Sequence, residues 1–163
     1  DQVVLACHSD QALALLSDPS AAETDVLGAI QYQDNETVLH TDARLLPTRR
    51  KAWAAWSAYV PAQAGAPCTV SYCMNLLQGL ESPDPFLVTL NRSQDIDPAK
   101  VIARMRYQHP VYSHASVAAQ GRRAEINGAN RTWFAGAYWG FGFHEDGLRS
   151  GVDVARALGV AWP

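Results

Sequence analysis

Cysteine is scarce: Cys7, Cys68 and Cys73 are the only three in 163 residues. An odd, scattered set builds no disulfide framework and matches no metal-ligand spacing. Reduced cytoplasmic thiols and no metal site are therefore expected. No apolar run is long enough to span a bilayer, and no signal peptide is visible. Charge of one sign is also lacking. The net charge is −3 with 18% charged residues, which leaves no electrostatic footprint for nucleic acid or an anionic membrane. Two catalytic signatures are missing as well. His144-Glu145 has no second histidine four residues on, since position 148 is Leu, so a zincin helix is excluded. There is no Gly-x-Ser-x-Gly elbow, and the adjacent His8, Ser9 and Asp10 do not make a hydrolase triad. Internal repeats, low-complexity tracts and heptads are absent.

What is present is a soluble-type composition, 48% hydrophobic, on a chain long enough to bury a sizeable core; length alone predicts one domain. The organising stretch is Arg131 to Gly151. Thr132 to Ala135 is short, apolar and β-prone. Gly136, Gly140 and Gly142 then allow a sharp turn and a close backbone approach. A helix is predicted from about Glu145 to Leu158, with Leu148, Val152, Ala155 and Leu158 on its apolar face. Glu145 and Asp146 occupy the first turn and Gly159 closes the last. The first amides of such a helix lack internal partners and carry about half a positive charge, which favours an anion or a group that becomes anionic.

Upstream, Val3 to Cys7 reads as a buried strand, with Ser9 a candidate cap for a helix through Leu16. Pro19 to Ile30 reads as a helix capped by Asp18. Gln31 to Asp42 reads as a strand. Ala43 to Lys51 is a basic, proline-broken loop containing Arg44, Arg49, Arg50 and Lys51, a solvated turn with phosphate binding as the alternative. Trp53, Trp56 and Tyr59 recur every three residues, as core or as a binding wall. Pro61 to Pro67 is a loop. Cys68 to Met74 and Phe86 to Leu90 are strands, and Asn75 to Leu80 forms a helical turn. With short turns and no long helices between them, the segments from Gln31 to Leu90 predict an antiparallel sheet of three or four strands. Asp97-Pro98 opens a short helix around Val101 and Ile102. Arg104 to His109 is another strand, and Ser113 caps a helix from His114 to about Ile126.

Phe134-Ala135-Gly136 followed by Gly142-Phe143-His144-Glu145-Asp146-Gly147-Leu148-Arg149-Ser150-Gly151 resembles the C-terminal flavin-binding segment of the flavin-containing amine oxidase superfamily. Phe143 stands where that superfamily usually has Tyr, and Ser150-Gly151 match its Ser-Gly. Ala137 occupies a usually acidic position, and Asp146 replaces a small residue. The wording Gly-Ala-Tyr-Trp-Gly-Phe-Gly-Phe-His-Glu-Asp-Gly, the opening Val3 to Leu13 and the run Thr41 to Pro47 are similar to a bacterial branch described as predicted NAD/FAD-binding proteins. The superfamily's N-terminal Gly-x-Gly-x-x-Gly turn has no counterpart here.

The resemblance implies an α+β, mixed α/β piece of a two-domain flavoprotein. Residues 1–16 would return to the FAD-binding domain, residues 17–126 would form a substrate-domain-like antiparallel sheet with helices, and residues 127–163 would supply the FAD-binding strand-turn-helix. It implies FAD in the parent protein, with weak or absent binding by this piece. The cofactor-binding positions would be Gly136, Ala137, Glu145, Asp146, Gly147 and Leu148. His144, Trp139 and Tyr138 are the catalytic candidates, with Phe141 completing an aromatic wall, and His8 and Ser9 near the cofactor. The implied partners are the missing N-terminal half and a small-molecule substrate, with self-association of the piece through its open cleft. The expected function is that of an inactive C-terminal part of an FAD-dependent, amine oxidase-like oxidoreductase. A non-catalytic ligand-binding or protein-interaction domain using Trp53, Trp56 and Tyr59 is the alternative.

Overall fold

The computed structural model describes residues 1–62 and 68–161, so most of the loop expected over Pro61 to Pro67 lies outside the described residues. The element order is β1 (Val3–Leu5), α1 (Ser9–Leu15), α2 (Ala21–Gly28), β2 (Tyr32–His40), β3 (Trp56–Tyr59), β4 (Thr69–Cys73), α3 (Met74–Gln78), β5 (Leu87–Leu90), β6 (Val101–Pro110), α4 (His114–Gln120), β7 (Thr132–Phe134) and α5 (His144–Ala157). Helices and an antiparallel five-stranded sheet together make this a mixed α and β protein. The chain separates into two compact units, residues 1–33 with 109–163, and residues 34–108. Val26 and Leu27 of α2 and Ala119 of α4 share one buried core with Phe134 and Tyr138.

In the first unit, β1 and β7 pair in parallel, with Val3, Val4 and Leu5 opposite Thr132, Trp133 and Phe134. Behind them lie Ala12, Val26, Leu27, Ile30, Ala119, Ile126, Phe134 and Tyr138, all buried. Two helix starts differ from expectation. Ser9 is the first residue inside α1 rather than its cap; it is fully buried, and its hydroxyl donates to the Ile30 carbonyl at 3.4 Å. At α2 the cap is Ser20, not Asp18. Ser20 Oγ accepts from Glu23 N at 3.2 Å while the Glu23 carboxylate accepts from Ser20 N at 2.8 Å. This is a Ser-x-x-Glu capping box, which satisfies two orphan donors where Asp18 with Pro19 satisfies one.

The second unit is built on the sheet, in the order β3-β4-β5-β2-β6. The first three neighbouring pairs are antiparallel. At the β2 edge, Thr41 N donates to the Lys100 carbonyl at 3.0 Å and Gln108 Nε2 to Asp34 Oδ1 at 2.9 Å, so β6 also runs antiparallel to its neighbour. The Trp56 segment is a strand, and one segment differs from expectation. Residues Val101 and Ile102 start β6, because the Asp97 cap supports only a single 3-10 turn, Pro98–Lys100, before the chain extends. Registry puts Ser71, Thr89 and Val38 on one face with Cys73, Leu87 and His40. Leu45, Leu46, Ile96 and Trp53 pack on that face.

This buried face is unusually polar, and its groups are paired, as burial demands. Asp42 N donates to His40 Nδ1 at 3.0 Å, which leaves the ring proton on Nε2, 2.8 Å from Thr89 Oγ1. Thr89 in turn shares a 2.8 Å hydrogen bond with Ser71. The Asp42 carboxylate is fully buried and accepts from the Arg44 guanidinium, Arg44 N and Asp97 N. Hydrogen bonding to Arg44, chiefly, holds the Asp42 carboxyl far below the usual carboxylate range, against the opposing effect of burial. Burial pushes the His40 imidazole below its ordinary value, with the Asp42 charge opposing.

Both shifts have the same sign for stability. A depressed folded pKa contributes stability above the unfolded value and loses it as pH falls. Acidification below about 6.5 is therefore expected to weaken the fold through His40, and below about 4 through Asp42. Asp42→Asn is expected to cost about 1.5–3 kcal/mol at neutral pH and to flatten the acid limb below pH 4. Urea denaturation from pH 7 to pH 3 measures both; an unchanged acid limb in the variant would contradict the assignment.

Candidate functional site

Parallel strand pairs present ligands at their carboxyl ends, where the following loops diverge. Here Leu5 and Phe134 are opposite one another, and the Leu5 carbonyl accepts from Ala135 N at 3.0 Å. The chain beyond β1 carries Cys7, His8 and Ser9. The chain beyond β7 carries the turn from Gly136 to Gly142 that leads into α5.

The turn is tightly determined. Ala137 to Trp139 forms one 3-10 turn, and Gln120 Nε2 donates to the carbonyls of Tyr138 and Gly140 at 2.9 and 2.6 Å. A Cβ at Gly136 would fall 2.3 Å from the Tyr138 ring, and one at Gly140 would fall 2.4 Å from the Asp146 carboxyl carbon. Gly142 has φ +85°, the left-handed region in which glycine is least strained. Ser150 latches the helix onto the turn. Its hydroxyl accepts from Gly136 N at 2.8 Å and donates to the Gly147 carbonyl at 2.7 Å. Arg123 braces the same region, donating to the Ser150 carbonyl at 2.8 Å and pairing with Asp153 at 3.0 Å.

At the start of α5, Asp146 turns its carboxylate back onto the loop, accepting from Phe141 N at 2.9 Å and Phe143 N at 3.1 Å. Asp146 N and Gly147 N both reach the Phe143 carbonyl. The amides of His144 and Glu145 remain; as the first two in the helix they have no internal acceptor, and none is supplied among the described residues. Their side chains are exposed, so this end of the helix opens outward.

The side chains expected around a ligand divide into two sets. Tyr138 is buried in the core, with its hydroxyl unpaired among the described residues, and burial raises its pKa strongly. Trp139 packs against that core and donates from Nε1 to the Phe134 carbonyl at 3.0 Å. Phe141 faces outward at 69% exposure, with Tyr112 tilted beside it at 6.0 Å. Of the expected wall of Tyr138, Trp139 and Phe141, the first is buried, the second half-buried and the last exposed. On the β1 side, His8 stacks on Tyr32 at 4.4 Å. Its Nδ1 makes no hydrogen bond among the described residues and lies 3.9 Å from Asp10 Oδ1, while the Tyr32 hydroxyl accepts from Ser9 N at 3.0 Å.

The buried side of α5 differs from the predicted stripe. Ser150 and Val154 are its buried residues, whereas Leu148 is 52% exposed and Leu158 also stands in solvent. Ser150 is tied to the turn through Gly136 N, and a Cβ at Gly147 would sit in ordinary contact with Ala137 at 3.8 Å, so the turn lies against this side and the leucines point away. Gln120 escaped assignment from the sequence, as did the latching role of Ser150 and the loop-ordering role of Asp146. The signal for Ser150 was its place three residues after Gly147, the i, i+3 reach of a hydroxyl back to a carbonyl.

Among the described residues, no cluster of three or more His, Cys, Asp or Glu side chains is arranged to hold a metal, and no helix is long and apolar enough to cross a membrane. No protein-family model matches the chain, and no curated protein matches it either.

The latch is directly testable. Ser150→Ala leaves the Gly136 amide unpaired and is expected to cost about 1–3 kcal/mol. Gly136→Ala drives a methyl into the Tyr138 ring and is expected to cost about 1–3 kcal/mol as overpacking. Urea denaturation midpoints measure both, and neutral effects would show that turn and helix are held by something else.

Proposed function

We propose that this chain is the C-terminal part of an FAD-dependent oxidoreductase of the amine oxidase type, with the flavin ring at the turn from Gly136 to Gly142 and the start of α5. The observation that carries the reading is exposed apolar surface around the parallel pair. Strands of all-parallel sheets are normally covered on both faces. Yet Val3 and Val4 are 52% and 45% exposed, and Leu148 stands in solvent one turn from the free His144 and Glu145 amides. A further layer of an FAD-binding domain accounts for such a surface.

The donor set fits the group. A bound flavin supplies hydride or electron acceptance. The chain's contribution is position and electrostatics. The His144 and Glu145 amides offer hydrogen bonds to an edge that gains negative charge, and the helix dipole reinforces them. Asp146, tied to Phe141 N and Phe143 N, is held away from that role. Gly147 and Ala137 are neighbours across the turn, and in this reading the ligand contacts at both are made by backbone. Phe141 is the aromatic available to cover a ring, and His144 is an exposed polar side chain at the helix start. The small-molecule substrate and the N-terminal half of the same parent complete the reading, which places the protein in the cytoplasm.

One observation favours a second reading, a ligand-binding or protein-interaction domain. Trp56 is 60% exposed on β3, and registry continues it across the sheet through Tyr72, Val88 and Leu39. Trp53 does not join that row; it packs on Leu46, Cys73 and Leu87.

Coexpression with the polypeptide encoded immediately upstream distinguishes the two readings. The complex is expected to be yellow with about one flavin per chain, while this chain alone quenches flavin fluorescence weakly or not at all. An upstream region without a strand, Gly-x-Gly-x-x-Gly turn and helix, or a colourless complex, would remove the flavin assignment.

A further inference from the structure

The basic loop after β2 has a second use. In the second unit, Arg44 and Thr48 from this loop meet Ser57 and Tyr59 of β3 and Arg92 around a cavity of about 270 Å³. At roughly 30 Å³ per water, that volume admits a compact ligand of the size of phosphate or a four-carbon dicarboxylate.

The walls carry a surplus of donors. The Arg92 guanidinium lies 3.9 Å over the Tyr59 ring, and its Nε is held by Asp95 at 2.6 Å. Its two Nη groups donate to no acceptor among the described residues. Arg44 spends Nε and Nη2 on the buried Asp42, which leaves Nη1 over. The Ser57 and Thr48 hydroxyls are likewise unpaired among the described residues. The neighbouring carboxylates are engaged, Asp42 by Arg44 and Asp97 N, Asp95 by Arg92, and Asp97 by Ala99 N. Stacking on Tyr59 and the bidentate grip on Asp42 also fix both guanidinium planes, so less entropy is lost when a ligand binds. A pocket of positive, pre-set donors with spent acceptors selects a ligand that only accepts.

We propose that this cavity binds a small oxyanion, the carboxylate or phosphate group of a small molecule, between Arg44 and Arg92. The site lies wholly within residues 34–108 and rests on neither functional reading above. Lysine would not replace Arg92, because a point charge neither stacks on Tyr59 nor presents two parallel N–H bonds.

The test is titration of the whole chain with inorganic phosphate and, separately, with succinate, at constant ionic strength maintained with chloride. Calorimetry and the Nε–H resonances of Arg44 and Arg92 are the readouts. Saturable shifts of both resonances with at least one probe are expected, and the stronger probe identifies the source class. Arg92→Gln is expected to weaken binding by roughly tenfold. Asp95→Asn, at a half-exposed position, frees the Arg92 Nε and is expected to tighten binding by roughly twofold to fivefold. Shifts no larger than those in chloride for both probes would overturn the proposal, as would Arg92→Gln binding like the parent. If Arg92→Gln does not fold, Asp95→Asn decides alone, and unchanged or weaker binding there refutes the site.

Discussion

Three residues of β1 paired in parallel with three of β7 hold the first unit closed. A parallel pair cannot be joined by a tight turn; it needs a crossover. Here the crossover is nearly the entire chain, from Cys7 to Arg131, and it contains the second unit. The loop-closure entropy of so long a connection grows only slowly with its length. The burial of Phe134, Leu27 and Ile126 behind the pair opposes it. Everything distinctive at the candidate site follows from this closure, because it sets the loop after Leu5 beside the glycine turn after Phe134.

Small groups then do what large ones usually do. α5 docks by Gly147, Ser150 and Val154 rather than by its leucines. One hydroxyl, that of Ser150, joins Gly136 to the helix, and one carboxylate, that of Asp146, orders the loop ahead of it. Such packing brings backbone close to backbone and leaves the apolar row outward. In the second unit the same economy appears in a different form. A His, a Thr, a Ser and an Asp lie under the loops in a single connected network, so the core on that face depends on hydrogen bonds as well as on apolar area.

Much of the architecture was legible in local sequence. The strand from Leu87, the antiparallel sheet, the Ser113 cap and the strand, turn and helix after Thr132 all follow from periodicity and turn chemistry. The start of α2 was misread although its Ser-x-x-Glu pattern was present, because Pro19 offered a competing start. Helical periodicity marked α5 correctly as a helix but chose the wrong side to bury. Periodicity reports where leucines cluster, whereas the docked side carries Ser150 and its bond to Gly136, a contact only the folded chain contains. The positions of Tyr138 and Trp139 are likewise set by the folded core. Aromatic residues in a glycine-rich turn read equally well as a wall or as a plug, and the core behind Phe134 needed the plug. The Arg44 and Arg92 pairing lies 48 positions apart in the chain, beyond any local signal.

The insertion of one unit into the other has a consequence for how the chain can be divided. Its entry and exit strands, β2 and β6, are sheet neighbours, and the side chains of Asp34 and Gln108 touch at 2.9 Å. A module whose two ends meet in this way can be excised, or its flanks spliced by a short bridge, without stretching either remaining piece. The fold therefore carries a ready seam for domain shuffling, and the sheet can be exchanged or permuted while the strand pair that frames it keeps its own continuity.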